Sequence, residues 1–309
     1  MPASPALPPA ATLRAWLDRR PALLLLIFTT LVWGSNVVAA RLAVGQVSPM
    51  MLTTARWSVA CIALWLVARR QVVAAWPLLR PRWRYLTAMG VAGFTGFNAL
   101  YYTAAHHTSA VNLAIIQGVV PVLVLLGAAV ALRQRVGALQ ALGVALTLAG
   151  VAVVAARGQW SVLCALDLNA GDLGVLAASV LYAGYTLGLR AKPAVSPLAF
   201  FAAVAGVAAL ASLPLLAWEA AAGGFFWPTP RGWWIILYVG LLPSFVSQIT
   251  YIRAVELIGP ARAGVFYNLT PVFGPALAVL LLGEPLRPYH ALGLAMVLGG
   301  IAVAERRGG

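Results

Sequence analysis

Runs of about twenty mostly apolar residues recur along the chain, separated by short segments that carry proline, glycine and arginine. A helix needs about twenty such residues to cross the roughly 30 Å hydrocarbon layer of a bilayer. In lipid, only helices satisfy their own backbone hydrogen bonds without closing into a barrel. The sequence therefore predicts an all-α integral membrane protein.

Composition agrees with this prediction, because 62% of the residues are hydrophobic and only 9% are charged. Soluble domains carry about 25% charged residues, so this chain has too little charge for a soluble surface. We expect one membrane domain, residues 1–309, with an N-terminal tail at 1–21. The first apolar run exceeds the roughly 7–15 residues of a signal-peptide core, which favours a retained span.

Breaks at proline, glycine and arginine clusters predict ten spans. Their boundaries are 22–44, 49–68, 84–105, 108–131, 136–155, 170–190, 197–217, 232–255, 260–281 and 288–304. Ten spans put both termini on one side, and that side then collects sixteen of the 21 basic residues. The positive-inside rule assigns that side to the cytoplasm, so we expect a bacterial inner-membrane protein. The net charge of +14 thus reflects loops rather than a nucleic-acid surface.

The chain also repeats itself at a distance of about 150 residues. Pro121-Val122 aligns with Pro271-Val272 and Gly150 with Gly300, while Trp33 aligns with Tyr182 at a distance of 149. The repeats are residues 22–155 and 170–304, with five predicted spans each. Because five is odd, the second copy enters the membrane from the opposite side. Inverted repeats of this kind underlie alternating access in many carriers, which favours a transporter.

Candidate binding residues are polar or aromatic side chains placed deep in the predicted spans. They are Trp33, Ser35, Asn36, Asn98, Tyr101, Gln117, Tyr182, Tyr185, Gln248, Tyr251, Tyr267 and Asn268. Trp33 and Tyr182 fall near the middle of the first and sixth spans, too deep to anchor at headgroups. We expect these two rings to face a central cavity and hold an apolar or aromatic side chain between them. Interhelical hydrogen bonding is the alternative role of each amide.

Charged residues fall outside the predicted site. Arg41, Arg56 and Arg190 are expected to extend to the headgroups, as long basic side chains do. All seven acidic residues fall in loops, tails or span ends, so the sequence gives no support for proton coupling, which needs a buried titrating group. Glycines at seven-residue spacing in the fifth and tenth spans predict packing faces. We expect no metal and no cofactor.

Several of these features together resemble the drug/metabolite transporter superfamily, and within it the ten-helix EamA-type carriers. They are Trp33-Gly34-Ser35-Asn36, the two repeated prolines, Leu282-Gly283-Glu284-Pro285 and the glycine-rich fifth and tenth spans. The resemblance implies a cavity between spans 1, 3, 4, 6, 8 and 9, and export of amino acids or related metabolites, as in aromatic amino-acid exporters. Arg133-Gln134-Arg135 departs from the Gly-Glu pair that the family often carries there.

Three alternatives are less favoured by the residues. A sugar-phosphate or nucleotide-sugar translocator needs basic side chains in the cavity to offset phosphate charge, and no arginine is expected at that depth. A multidrug pump of the small type would need a buried glutamate. A membrane-embedded enzyme would need a nucleophile–base pair, paired carboxylates or a metal cluster. The partners expected are therefore the lipid bilayer and a small-molecule substrate, with no nucleic acid.

Overall fold

The computed structural model describes residues 20–131, 133, 137–159, 161–162, 168–258 and 266–304. Most of the predicted tail 1–21, Cys164, and the start of the predicted ninth span lie outside these residues. In the described part every regular element is a helix. The α-helices are α1 (Arg20–Ala43), α2 (Pro49–Leu79), α3 (Trp83–Gly90), α4 (Phe97–Ala104), α5 (Ala110–Gln117), α6 (Val120–Ala131), α7 (Ala138–Ala155), α8 (Ala170–Gly188), α9 (Pro197–Ala221), α10 (Pro230–Leu241), α11 (Ser247–Ile258), α12 (Thr270–Leu282) and α13 (Pro288–Ala304).

Seven continuous helical segments are long and apolar enough to cross a membrane among the described residues. One of them, Pro49–Ala104, is 56 residues long, more than twice what one crossing requires. It contains α2, a 3-10 turn at Arg80–Arg82, α3 and α4. Two shorter apolar helices, Phe266–Leu282 and Pro288–Ala304, complete the set. The chain is thus a multi-pass helical membrane protein, and the count of ten crossings stays a prediction.

Polar caps define where several helices begin. The side chains of Ser109, Asn169, Ser196 and Thr229 each accept a hydrogen bond from a backbone N–H in the first turn of the following helix. Such residues satisfy donors that the helix itself leaves unpaired. The sequence Ser-Pro at 48–49 and again at 196–197 begins α2 and α9. Ser196 caps its own helix, whereas the Ser48 hydroxyl donates to Glu219.

Two buried or partly buried glutamates also serve as caps. Glu219 accepts hydrogen bonds from the Ser48 hydroxyl at 2.5 Å and from the Met50 backbone N–H at 3.1 Å, at the start of α2. Glu284 accepts the backbone N–H groups of Ala110 and Val111, both at 3.0 Å, at the start of α5. A carboxylate is stabilised there by the positive end of the helix dipole. These acids therefore hold helices together and lie at helix ends, as the sequence predicts.

Helices α7 and α13 pack against each other through glycine. A Cβ atom added at Gly143 would lie 2.5 Å from the Gly300 carbonyl oxygen, and one added at Gly150 would lie 2.8 Å from the Gly293 carbonyl oxygen. Small residues allow backbones to approach this closely in membranes. The predicted packing role of these glycines is confirmed.

Two short π-helical segments interrupt otherwise regular helices. Val91–Gly96 joins α3 to α4, and Leu242–Val246 joins α10 to α11. The second contains Pro243, which lacks the backbone N–H that an α-helix needs. The Ser244 hydroxyl donates to the Val239 carbonyl at 2.7 Å, which satisfies that acceptor inside the widened turn. Both segments lie in corresponding places of the two halves, and both border the cavities described next.

Candidate functional site

Two adjoining cavities lie among the helices. The wide cavity has a volume of about 500 Å³, and the narrow cavity about 70 Å³. They share four lining residues, namely Trp33, Tyr182, Gln248 and Tyr267. The wide cavity extends from these residues toward Thr186 near the end of α8, Leu189 just after it, and Ala304 at the end of α13. Its volume falls within the roughly 300–1,000 Å³ typical of small-molecule sites.

Aromatic rings form much of the wide cavity's wall. Trp33 lies 5.3 Å from Tyr251 and 5.7 Å from Tyr267, measured between ring centroids. Tyr267 is in turn stacked on Tyr182 at 6.3 Å with an interplanar angle of 15°, and Tyr185 adjoins Tyr182 at 5.6 Å. Tyr267 thus lies between Trp33 and Tyr182. Rings at these separations favour an aromatic guest, which can join them edge-to-face or offset.

Hydrogen bonding fixes the orientation of Trp33. Its indole N–H donates to the Ser247 hydroxyl at 2.8 Å, and Ser247 donates to the Pro243 carbonyl at 2.6 Å. The second π-helical segment therefore positions the ring. With its N–H already bonded, Trp33 offers the cavity an apolar face.

Nine of the twelve residues predicted from the sequence line one or both cavities. Asn36, Asn98 and Gln117 line the narrow cavity, Tyr185 and Tyr251 line the wide one, and the four shared residues line both. Ser35, Tyr101 and Asn268 do not line either cavity. The Ser35 hydroxyl shares a 2.5 Å hydrogen bond with that of Tyr238. Tyr101 is buried in the hydrophobic core, stacked on Phe97 at 5.5 Å.

Arg56 corrects an expectation drawn from the sequence. It does not extend to the headgroups, since only 5% of the residue is exposed, and it lines the narrow cavity. Its guanidinium donates to the Asn98 side-chain oxygen at 2.6 Å, to the Ser244 hydroxyl at 2.9 and 2.6 Å, and to the Tyr102 hydroxyl. The reason is the face of α2 on which it lies. Leu52, Ala60, Leu64 and Ala68, at four-residue spacing from Arg56, are all buried.

Trp57 and Thr270 are lining residues that the sequence did not identify. Both are buried at the narrow cavity, with 3% and 4% of the residue exposed. Within the described chain, neither the Trp57 indole nitrogen nor the Thr270 hydroxyl has a hydrogen-bond partner. A tryptophan beside an arginine in an apolar run is the sequence signal for the first. Thr270 has no comparable signal in the sequence, because its position at the cavity depends on how the start of α12 packs against the other helices.

Buried acids lie elsewhere. Asp172, fully buried at the start of α8, accepts from the Thr108 hydroxyl at 2.5 Å and from the Asn112 amide at 3.2 Å. Asn112 is also bonded to His290 at 3.0 Å. No acidic residue of the described ranges lines the narrow or the wide cavity. The described residues also contain no cluster of three or more histidine, cysteine or acidic side chains placed to hold a metal.

Comparison with known proteins adds relatives along nearly the whole chain. A probable terminal-alkyne amino-acid exporter from Streptantibioticus cattleyicolor is 30% identical over 91% of this chain and 92% of its own. The uncharacterized transporter YyaM from Bacillus subtilis is 25% identical over the same shares. The aromatic amino acid exporter YddG from Ancylobacter novellus is 22% identical over 92% of this chain and 97% of its own. These relatives are transporters, not enzymes.

One crystal structure has the same fold, with a TM-score of 0.63 over 93% of this chain and 98% of that chain at 20% identity. The profile of the EamA-like transporter family matches twice, at residues 20–156 and 169–305. Together the two matches cover most of the sequence. The chain therefore belongs to the EamA-like transporter family, within the drug/metabolite transporter superfamily.

Proposed function

We propose that this transporter exports amino acids, aromatic and other neutral ones, by alternating access around the two cavities. The observation that carries the proposal is the wide cavity, whose wall contains Trp33, Tyr182, Tyr185, Tyr251 and Tyr267. An aromatic or apolar side chain fits such a wall. The amides of Asn36, Asn98, Gln117 and Gln248 adjoin it and supply neutral hydrogen bonds. Two relatives, a probable terminal-alkyne amino-acid exporter and an aromatic amino acid exporter, support the same substrate class.

The architecture we propose is ten spans in two inverted five-helix repeats, residues 22–155 and 170–304. The 56-residue segment Pro49–Ala104 then crosses twice, and the two shorter helices cross once each. Three observations support the repeat: the two separate family matches, the two π-helical segments and the paired Ser-Pro helix starts. In such carriers one repeat rocks against the other around a central site.

We further propose that the chain lies in the bacterial inner membrane with both termini in the cytoplasm. The wide cavity then opens toward the cytoplasmic ends of α8 and α13, as an exporter needs when it loads substrate. Cysteine labelling tests the orientation, after Cys61 and Cys164 are replaced by alanine. A membrane-impermeant thiol reagent outside spheroplasts should label cysteines placed in segment 156–169 and miss those in segment 69–83. The opposite pattern would overturn the orientation.

Reconstitution tests the function itself. Purified protein in liposomes should exchange labelled phenylalanine, tryptophan and leucine faster than protein-free liposomes do. The matched control is protein with Tyr182→Ala, prepared at equal incorporation. Failure of every neutral amino acid to exchange, with correctly inserted protein, would contradict the proposal.

Export of an organic phosphate is a second candidate, because Arg56 borders the narrow cavity and guanidinium groups bind phosphate well. A phosphate dianion would face a single guanidinium surrounded by neutral side chains and aromatic rings. A carboxylate, with one negative charge, matches the single guanidinium better than a phosphate dianion does. The same liposomes with labelled glucose 6-phosphate in place of the amino acid distinguish the two candidates.

A further inference from the structure

Arg56 is a buried cation without a neutralising partner in the described part of the chain. The ion pair recorded there joins Arg253 to Glu256 on the surface, and every partner of Arg56 is a neutral hydroxyl or amide oxygen. Burying an unpaired charge is costly. Ionisable residues inside membranes commonly pair with each other or mark a substrate path. Arg56 is placed to mark a substrate path, since it lines the narrow cavity.

Residues that line the narrow cavity also carry hydrogen-bond donors without partners. A guanidinium has five N–H groups, and the four hydrogen bonds of Arg56 leave one of them for another acceptor. The Trp57 indole N–H and the Thr270 hydroxyl are also unpartnered in the described residues. Buried polar groups are normally hydrogen-bonded, so each such exception needs a reason. Three residues that line one small cavity thus each carry an unused donor, and one of them is positively charged, which suits an anionic acceptor.

The size of the narrow cavity selects a small anion. Its volume of about 70 Å³ is half of the roughly 150 Å³ of an apolar cavity that accepts benzene. A carboxylate fits, whereas an aromatic ring does not. The ring of the same molecule would remain in the wide cavity, on the other side of Trp33 and Tyr182.

We propose that Arg56, with Trp57 and Thr270, binds the carboxylate of the transported amino acid, and that the narrow cavity thereby selects carboxylate-bearing solutes over the corresponding amines. This proposal rests on the proposed function, because it assigns one end of the proposed substrate to one end of the site. Without substrate, the guanidinium is hydrogen-bonded to neutral partners alone in the described residues. A substrate carboxylate would add the opposite charge. Arrival of substrate thus makes the buried cation less costly.

The test compares phenylalanine with phenethylamine, which has the same ring and amine but no carboxylate. Binding to purified wild-type protein is followed by intrinsic tryptophan fluorescence. The affinity for phenylalanine should be higher by about tenfold or more, because hydrogen bonds between charged groups contribute about that much. Arg56→Gln should reduce that preference to within about threefold by weakening phenylalanine alone. Arg56→Lys should keep part of it. Arg253→Gln, an exposed arginine on α11, is the matched control and should leave the preference unchanged.

Milder variants keep the proposal testable if Arg56→Gln does not fold. Thr270→Val removes one donor at nearly constant shape, and Trp57→Phe removes another together with part of the indole ring. Each should weaken phenylalanine binding by about threefold to tenfold without affecting phenethylamine. Unchanged phenylalanine binding in both variants, or in folded Arg56→Gln, would overturn the proposal. Inorganic phosphate in large excess should not compete with phenylalanine, and full competition would reassign the donors to phosphate.

The outcomes separate this proposal from the proposed function. Wild-type protein that transports phenylalanine and phenethylamine equally would overturn the carboxylate site and leave amino-acid export standing. Wild-type protein that transports no amino acid would overturn the export proposal. Even then, loss of 3-phenylpropionate binding in Arg56→Gln would support the carboxylate site.

Discussion

The narrow and wide cavities share four lining residues but differ in chemistry. The wall of the wide cavity is mainly rings and aliphatic side chains, and the indole N–H of Trp33 is already bonded to Ser247. The narrow cavity instead has a buried charge and two unpartnered polar groups. A site with one apolar part and a few converging polar groups is the usual design for binding a small molecule. The difference teaches that the two ends of one solute can be recognised separately.

The largest expected effect comes from removing a ring at the boundary between the cavities. Trp33→Ala or Tyr182→Ala should lower transport of phenylalanine at least about tenfold, because ring contacts and buried apolar area are both lost. Transport of alanine should fall much less. The measurement is exchange in liposomes at equal protein incorporation. Trp218→Ala, an exposed tryptophan near the end of α9, is the control, and wild-type rates in both cavity variants would mean the rings only pack helices together.

A smaller effect is expected at Gly93, which lines the narrow cavity and packs against Tyr185 of the wide one. A Cβ atom there would lie 2.4 Å from the Tyr185 ring, so Gly93→Ala must displace a wall residue of the wide cavity. We expect transport of tryptophan to fall about threefold to tenfold, with alanine little changed. Gly184→Ala is the matched control on α8, because nothing lies within 4 Å of its added Cβ. Equal losses for tryptophan and alanine would contradict a local change in cavity shape.

The smallest expected effect concerns the pH gradient. Because no described acid lines either cavity, collapsing the proton gradient at a fixed amino-acid gradient should change the exchange rate less than about twofold. Dependence on the gradient would direct attention to Asp172, a buried acid near the start of α8. Asp172→Asn measured in the same liposomes would then locate the coupling.

The apolar pattern was sufficient to predict helices near their observed positions. The predicted spans 49–68 and 84–105 correspond to parts of α2, α3 and α4, but α2 extends to Leu79, because Arg69 and Arg70 continue the helix instead of ending it. The π-helical segments were not predicted. They depend on how Pro243 and the glycines at 90, 93 and 96 pack, which hydrophobic periodicity does not encode.

The site was partly predictable for the same reason. Deep aromatic and amide residues are conspicuous in an apolar sequence, and nine of twelve line a cavity. Ser35, Tyr101 and Asn268 lie on the same helical segments as cavity residues, but depth in a span does not determine which way a side chain points. The sequence-based prediction for Arg56 was wrong because an arginine seven residues after the start of a span can either extend to the headgroups or face the bundle interior. Only the buried neighbours on its face of α2 decide against that.

The most direct test of separate recognition combines two substitutions with three solutes: phenylalanine, phenethylamine without the carboxylate, and alanine without the ring. The account predicts that Arg56→Gln lowers the phenylalanine-to-phenethylamine binding ratio from about tenfold or more to within about threefold and leaves the phenylalanine-to-alanine ratio unchanged. Tyr182→Ala should lower the phenylalanine-to-alanine ratio and leave the phenylalanine-to-phenethylamine ratio unchanged. In the double variant the two losses of binding free energy should add. If each substitution changed both ratios to the same extent, the two cavities would not recognise different ends of one solute.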